Sequence, residues 1–191
     1  MIREFEIIVM GMSAGGLHAL SALLEKLPSD YPIPIVVVQH RTKDAGHTLE
    51  DVLQFKCRIK IKQADEKEAI KRSMVYLAPP DYHLLVERDR TFSLSHDPPV
   101  RFSRPSIDVL FESAAIAFGD KVIGIILTGA SDDGADGIQA IERSGGITIA
   151  QNPDEALFPY MTQASIKTER VQHIWSLATI QNFLLRLINV K

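Results

Sequence analysis

Phe5-Glu6-Ile7-Ile8-Val9-Met10-Gly11-Met12-Ser13-Ala14-Gly15-Gly16-Leu17 joins an apolar run to a glycine-rich bend and then to an apolar-faced segment. Phe5 to Met10 has the length and continuity of a buried strand. Beyond the bend, Leu17, Leu20, Leu24 and Leu27 recur at three- and four-residue steps. That spacing predicts a helix over Ala14–Leu27, stopped by Pro28. Ser13 therefore sits at the turn between a strand and a helix N-terminus. There its hydroxyl can face solvent while the free N–H groups of the first helical turn point at the same place. A nucleophile that must form and stabilise an oxyanion needs this arrangement.

The rest of the chain repeats the pattern. Ile33-Pro34-Ile35-Val36-Val37-Val38 is a β-branched run of the kind found in strands covered on both sides, and it ends at Gln39-His40. A helix is expected from about His47 to Phe55 and a half-exposed strand over Arg58–Gln63. Val122–Leu127 is a second buried strand, leading into Thr128-Gly129-Ala130-Ser131-Asp132-Asp133-Gly134. A helix runs from there to about Ser144, stopped by Gly145-Gly146, and Ile147–Gln151 is a further strand. Ser106 starts another helix, with Ile107, Leu110, Phe111, Ala114 and Phe118 on one side. The last helix runs from about Thr179 to Ile188, and Asn152–Thr162 reads as loop.

Between them, Met74–Ala78, His83–Val86 and Thr91–Leu94 look like short strands joined by tight turns, an antiparallel patch at one sheet edge. The alternation of helices and apolar strands predicts an α/β fold. Its sheet is doubly wound, mostly parallel and flanked by helices, with a small antiparallel hairpin region.

A chain of 191 residues supports one sizeable core, so a single domain over residues 1–191 is expected. A formal charge of −3 without a basic stripe argues against nucleic-acid binding. The lone Cys57 fits a buried, inert thiol in a reducing compartment. No signal peptide and no membrane-spanning run is read, so a cytoplasmic protein without membrane insertion is expected. The histidines lack metal-ligand spacing, and neither a metal nor a cofactor is expected.

Ligands of doubly wound sheets bind beyond the carboxyl ends of the strands. Ser13, His40 and Asp133 each lie just past such an end. Singly each has a plain structural account: Ser13 as a helix cap, His40 as a hydrogen-bonded strand end, Asp133 as the cap of the helix from Gly134. Together they can form a nucleophile, a base that takes its proton, and an acid that orients the base. Asp132 is the neighbouring candidate for the acid. A phosphate loop is the rival for the first bend. However, Ser13 stands where Gly-x-Gly-x-x-Gly needs its second glycine, and the P-loop lysine is missing. Arg101 and Arg104, in the loop before Ser106, can attract acidic partners or simply be solvated.

Six motifs occur in order: Gly11-Met12-Ser13-Ala14-Gly15-Gly16, Val38-Gln39-His40, Tyr76-Leu77-Ala78-Pro79, Arg104 to Phe111, Ile126 to Gly137, and Thr148-Ile149-Ala150-Gln151. In these the chain resembles the catalytic domain of the chemotaxis protein-glutamate methylesterases, the CheB family, over about residues 5–188. The resemblance implies a serine hydrolase that removes methyl esters from glutamates of chemoreceptor helices, releasing methanol, and that can deamidate receptor glutamines. It places the catalytic residues on Ser13, His40 and Asp133 and one oxyanion donor on the Ala14 N–H. It also implies a methylated receptor helix as the protein partner of an enzyme expected to be monomeric.

The chain departs from the family pattern at several points. It has no receiver domain ahead of Met1, which reads as a stand-alone or trimmed form. Arg41-Thr42-Lys43-Asp44 replaces a proline-containing segment, Ala130 a methionine, and Leu157 to Met161 a Gly-Met-Pro loop. These changes, with Arg101, Arg104 and Ala130, mark the expected substrate groove. A non-catalytic module that binds a partner helix is the alternative.

Overall fold

The computed structural model describes residues 4–41 and 48–189. Strand β1 (Ile7–Met12) is buried at every position. Its side chains alternate between two cores, Ile8 and Met10 entering one and Ile7 and Val9 the other. Around it lie β2 (Ile35–Gln39), β3 (Lys60–Gln63), β4 (Met74–Leu77), β7 (Val122–Ile126), β8 (Ile147–Gln151) and β9 (His173–Trp175). The sheet order is β3-β4-β2-β1-β7-β8-β9, and every pairing is parallel. A separate antiparallel pair joins β5 (His83–Val86) to β6 (Phe92–Ser95).

One face of the sheet is covered by α1 (Gly16–Leu24), α2 (Thr48–Lys56) and α6 (Leu177–Arg186), through Leu20, Leu23, Leu53, Ile180 and Leu184. The other carries α3 (Ile107–Phe118), α4 (Ala135–Arg143), α5 (Tyr160–Lys167) and the antiparallel pair, through Leu110, Phe111, Ile138, Met161 and Phe92. The helix after β1 packs on one face and the helix after the adjacent β7 on the other. The loops leaving these two strands therefore diverge, and the crevice between them is the ligand position of a doubly wound sheet.

Three expectations change, and one strand goes unread in the sequence. Met74–Ala78 does not belong to an antiparallel patch, because β4 is a parallel strand between β3 and β2. Val75 and Leu77 enter one core and Tyr76 the other, so the run is covered on both faces, and that burial rather than the neighbouring turns decides its place. The first helix begins at Gly16, not Ala14. Gly15, its N-cap, has φ +78°, which L side chains avoid. The segment expected as loop contains the start of α5, whose buried face is Met161, Thr162 and Ser165. Small polar residues give that face no apolar period. Finally, β9 is three partly exposed residues with no alternation to read. His47, Thr42 to Asp44 and Met1 lie outside the described residues.

Candidate active site

The strand ends fix the geometry. In the β1–β2 register Met12 faces Gln39, and the His40 N–H donates to Met12 O at 3.0 Å. Ser13 and His40 are thus the first residues past two neighbouring strands. The Ser13 N–H donates to Thr128 O at 3.0 Å in the loop after β7, and its carbonyl accepts from Gln39 Nε2 at 2.8 Å and from the Gly16 N–H at 2.9 Å. Gln39 Nε2 also donates to His40 O at 3.0 Å, so one amide ties the two strand ends together. A Cβ on Gly16 would collide with Gln39 Oε1, and glycine is what lets the helix start that close. Among the described residues the N–H groups of Ala14 and Gly15 have no hydrogen-bond acceptor.

Ser13, Ala14, Gln39 and His40 line one open cavity of about 930 Å³ between α1 and α2. The Ser13 hydroxyl makes no hydrogen bond among the described residues. Hydrogen bonds from nucleophile to base are often long in unliganded sites and tighten on substrate binding.

Asp133 lies behind His40 with its side chain fully buried. His40 Nε2 stands 2.7 Å from Asp133 Oδ2, an oxygen that also accepts the Ile107 N–H at 2.7 Å. Asp133 Oδ1 accepts from Ser106 Oγ at 2.8 Å and from the Asp108 N–H at 3.0 Å. Asp133 therefore does not cap the helix that follows it. It caps α3, twenty-odd residues earlier, while Gly134, the N-cap residue of α4, has no side chain of its own to cap with. Burial alone would push this carboxyl up. The hydrogen bond from His40 and those from the N–H groups of Ile107 and Asp108 outweigh it and hold the acid below the usual carboxylate range. An ionised Asp133 requires the proton on Nε2 of His40, which leaves Nδ1 as the basic nitrogen. Nδ1 lies 3.4 Å from Ser103 Oγ.

A second carboxylate mirrors the first. Asp108, in the first turn of α3, accepts the N–H groups of Gly134 and Gly137 at 2.9 and 2.8 Å. Each of the two helices is thus capped by an aspartate that belongs to the other's N-terminal region. Burial, opposed by the Gly137 N–H and reinforced by the charges of Asp133 and Asp136, pushes the Asp108 carboxyl up to about 7.

Arg101 Nε donates to Asp108 at 3.0 Å, Nη1 to Asp132 at 2.6 Å, and Nη2 to Asp136. Arg104 is bound to Asp81 and to the carbonyls of His96 and Asp97. Both arginines are engaged inside the protein, so they brace the loop before α3 rather than standing free for an acidic partner. Asp132 is held by Arg101 and has no hydrogen bond to His40 among the described residues. Ala130 is exposed beside Gly129, and a Cβ on Gly129 would lie 3.0 Å from Ser13 Cβ. Sequence patterns gave no sign of what Gln39, Ser103 and Asp108 bond to, since their partners come from distant segments. Among the described residues no cluster of His, Cys, Asp and Glu could hold a metal ion, and no helix is long and apolar enough to cross a membrane.

The comparisons with known proteins agree with one another. Residues 8–184 match the family model described as CheB methylesterase. A methylesterase-family protein of Leptospira interrogans serogroup Icterohaemorrhagiae is 48% identical over 184 residues, 96% of this chain and 95% of its own length. The protein-glutamate methylesterase/protein-glutamine glutaminase 3 of Geobacter metallireducens is 37% identical over 98% of this chain, which spans 54% of that relative. The crystal structure of the Thermotoga maritima CheB methylesterase catalytic domain superposes with a TM-score of 0.92 at 29% identity, covering 97% of this chain and 100% of that one. The chain belongs to the CheB methylesterase family.

Proposed function

We propose that this chain hydrolyses γ-methyl esters of glutamyl side chains on the cytoplasmic helices of chemoreceptors, releasing methanol, and deamidates receptor glutamines by the same acyl transfer. The 2.7 Å hydrogen bond between His40 and the buried Asp133, one strand away from Ser13, carries the reading. Relatives named protein-glutamate methylesterase/protein-glutamine glutaminase support the glutamyl ester and the glutamine as the groups attacked.

In this mechanism Ser13 Oγ attacks the ester carbonyl and His40 Nδ1 takes its proton. Asp133 keeps the Nε2–H in place and stabilises the imidazolium. The oxyanion rests on the N–H groups of Ala14 and Ala130. Neither has an acceptor among the described residues, and Gly129 brings the second beside Ser13. Such donors are each worth about 10²–10³ in turnover. The imidazolium returns its proton to the leaving methoxide, and water, activated by the same ring, cleaves the acyl-enzyme. For a glutamine the leaving group is ammonia.

Methanol release from a methylated chemoreceptor fragment tests the proposal. The Ser13→Ala variant is expected to turn over about 10⁴-fold or more slower while keeping its fold by circular dichroism. An unchanged rate removes Ser13 from the chemistry.

A further inference from the structure

Val100 and Ser103 close a four-residue turn, with Val100 N–H to Ser103 O at 3.1 Å and Ser103 N–H to Val100 O at 2.8 Å. Its two central residues, Arg101 and Phe102, have φ of +45° and +61°. This is the turn that asparagine and glycine fill readily and bulky L side chains fill at a cost. Arg101 repays its place through three carboxylates. Phe102 makes no such return inside the fold, because its side chain is fully exposed at 103% of its reference area. A large apolar ring in a left-handed conformation, wholly in water, is unfavourable on two separate grounds.

The position of that ring is specific. Ser103, the next residue, reaches His40 Nδ1. Phe102, Pro99, Ser103 and Pro105 share with His40 a second cavity of about 500 Å³, far more room than a departing methanol needs. Two residues after the serine, Gly15 has the exposed Leu157 against it, the Leu157 Cβ 3.1 Å from where a Gly15 Cβ would stand. Exposed apolar side chains on the enzyme's own loops thus stand near both His40 and the bend that carries Ser13.

We propose that Phe102 is a specificity-determining contact, the tip of a finger that packs on an apolar side chain of the polypeptide bearing the ester, next to the modified glutamate. The inference rests on Ser13 acting as the ester-cleaving nucleophile. The finger reads the protein around the ester and takes no part in proton transfer. Its strain is relieved by glycine, so function and stability respond to substitution with opposite signs.

The test compares wild type, Phe102→Gly and Phe102→Leu on a methylated chemoreceptor cytoplasmic fragment and on p-nitrophenyl acetate, with thermal unfolding alongside. Phe102→Gly is expected to raise KM for the receptor fragment about tenfold with kcat within twofold, leave p-nitrophenyl acetate hydrolysis unchanged, and raise Tm by about 2–4 °C. Phe102→Leu is expected to recover most of the KM. An unchanged KM in Phe102→Gly, with wild type active, overturns the inference and leaves the esterase reading standing. So does an equal loss on both esters, or a change only in oligomeric state by sedimentation, which would assign the finger to a second copy of the chain. A wild type inactive on the receptor fragment overturns both.

Discussion

Asp133 joins two jobs a buried carboxylate can have. It accepts a hydrogen bond from His40 Nε2, and it caps a helix whose sequence lies far from its own. Asp133→Asn presents an amide to His40 Nε2 and favours the wrong tautomer, so kcat is expected to fall about 10⁴-fold. Asp132→Asn is expected to change kcat by less than about threefold, because Asp132 bonds to Arg101 and not to the imidazole. Steady-state methanol release from the two variants checks the assignment, and the reverse ranking would move the acid by one residue. That Ser13, His40 and Asp133 lie near one another was legible because each follows the carboxyl end of a parallel strand in a doubly wound sheet. Gln39 and Ser103 were not, since their importance lies in what they bond to rather than in what they follow.

At the level of elements, α3 and α4 are held N-terminus to N-terminus by exchanged aspartates. Asp108 is the member with a pH signature. Its carboxyl binds a proton more tightly in the folded protein, up to about 7, than in the unfolded chain near 4. Between those values the native state holds more protons, so this group makes stability fall as pH rises. Relative to Asp108→Asn, wild type is expected to lose about 2–3 kcal/mol from pH 5 to pH 8, read from urea midpoints at both. A constant difference would show that Asp108 does not titrate in that window. The apolar runs of β1, β2 and β7 announced themselves because burial on both faces leaves no polar position. The same rule, applied to β4, would have placed it in the parallel sheet. In α5 the buried positions are threonine and serine, so no hydrophobic period existed to be found.

Across the whole molecule, one sheet divides two hydrophobic cores. The acid, its capping network and Arg101 stand on the face of α3 and α4, and α6 covers the other face. Leu184, fully buried in α6, packs into the core with α1, and its carbonyl accepts the Tyr31 hydroxyl at 2.9 Å. Leu184→Ala is expected to cost about 2–5 kcal/mol in chemical denaturation and leave kcat within twofold below the transition. A large kcat loss in the folded variant would mean that the faces are coupled through the sheet. The doubly wound class was readable from the order of segments, because strand–helix alternation permits few topologies. The strand order was not, since nothing local tells β3 and β4 to exchange places.

The exchanged caps have a corollary for any chain built on this plan. An aspartate that holds two helices in place is under pressure to persist whether or not an ester is ever cleaved, so without a serine beside its histidine it is poor testimony to activity. The hydroxyl of Ser13 supports nothing around it, and a lineage that abandoned the chemistry could discard it freely. Silent descendants of this architecture should be sought by a missing serine beside an intact acid.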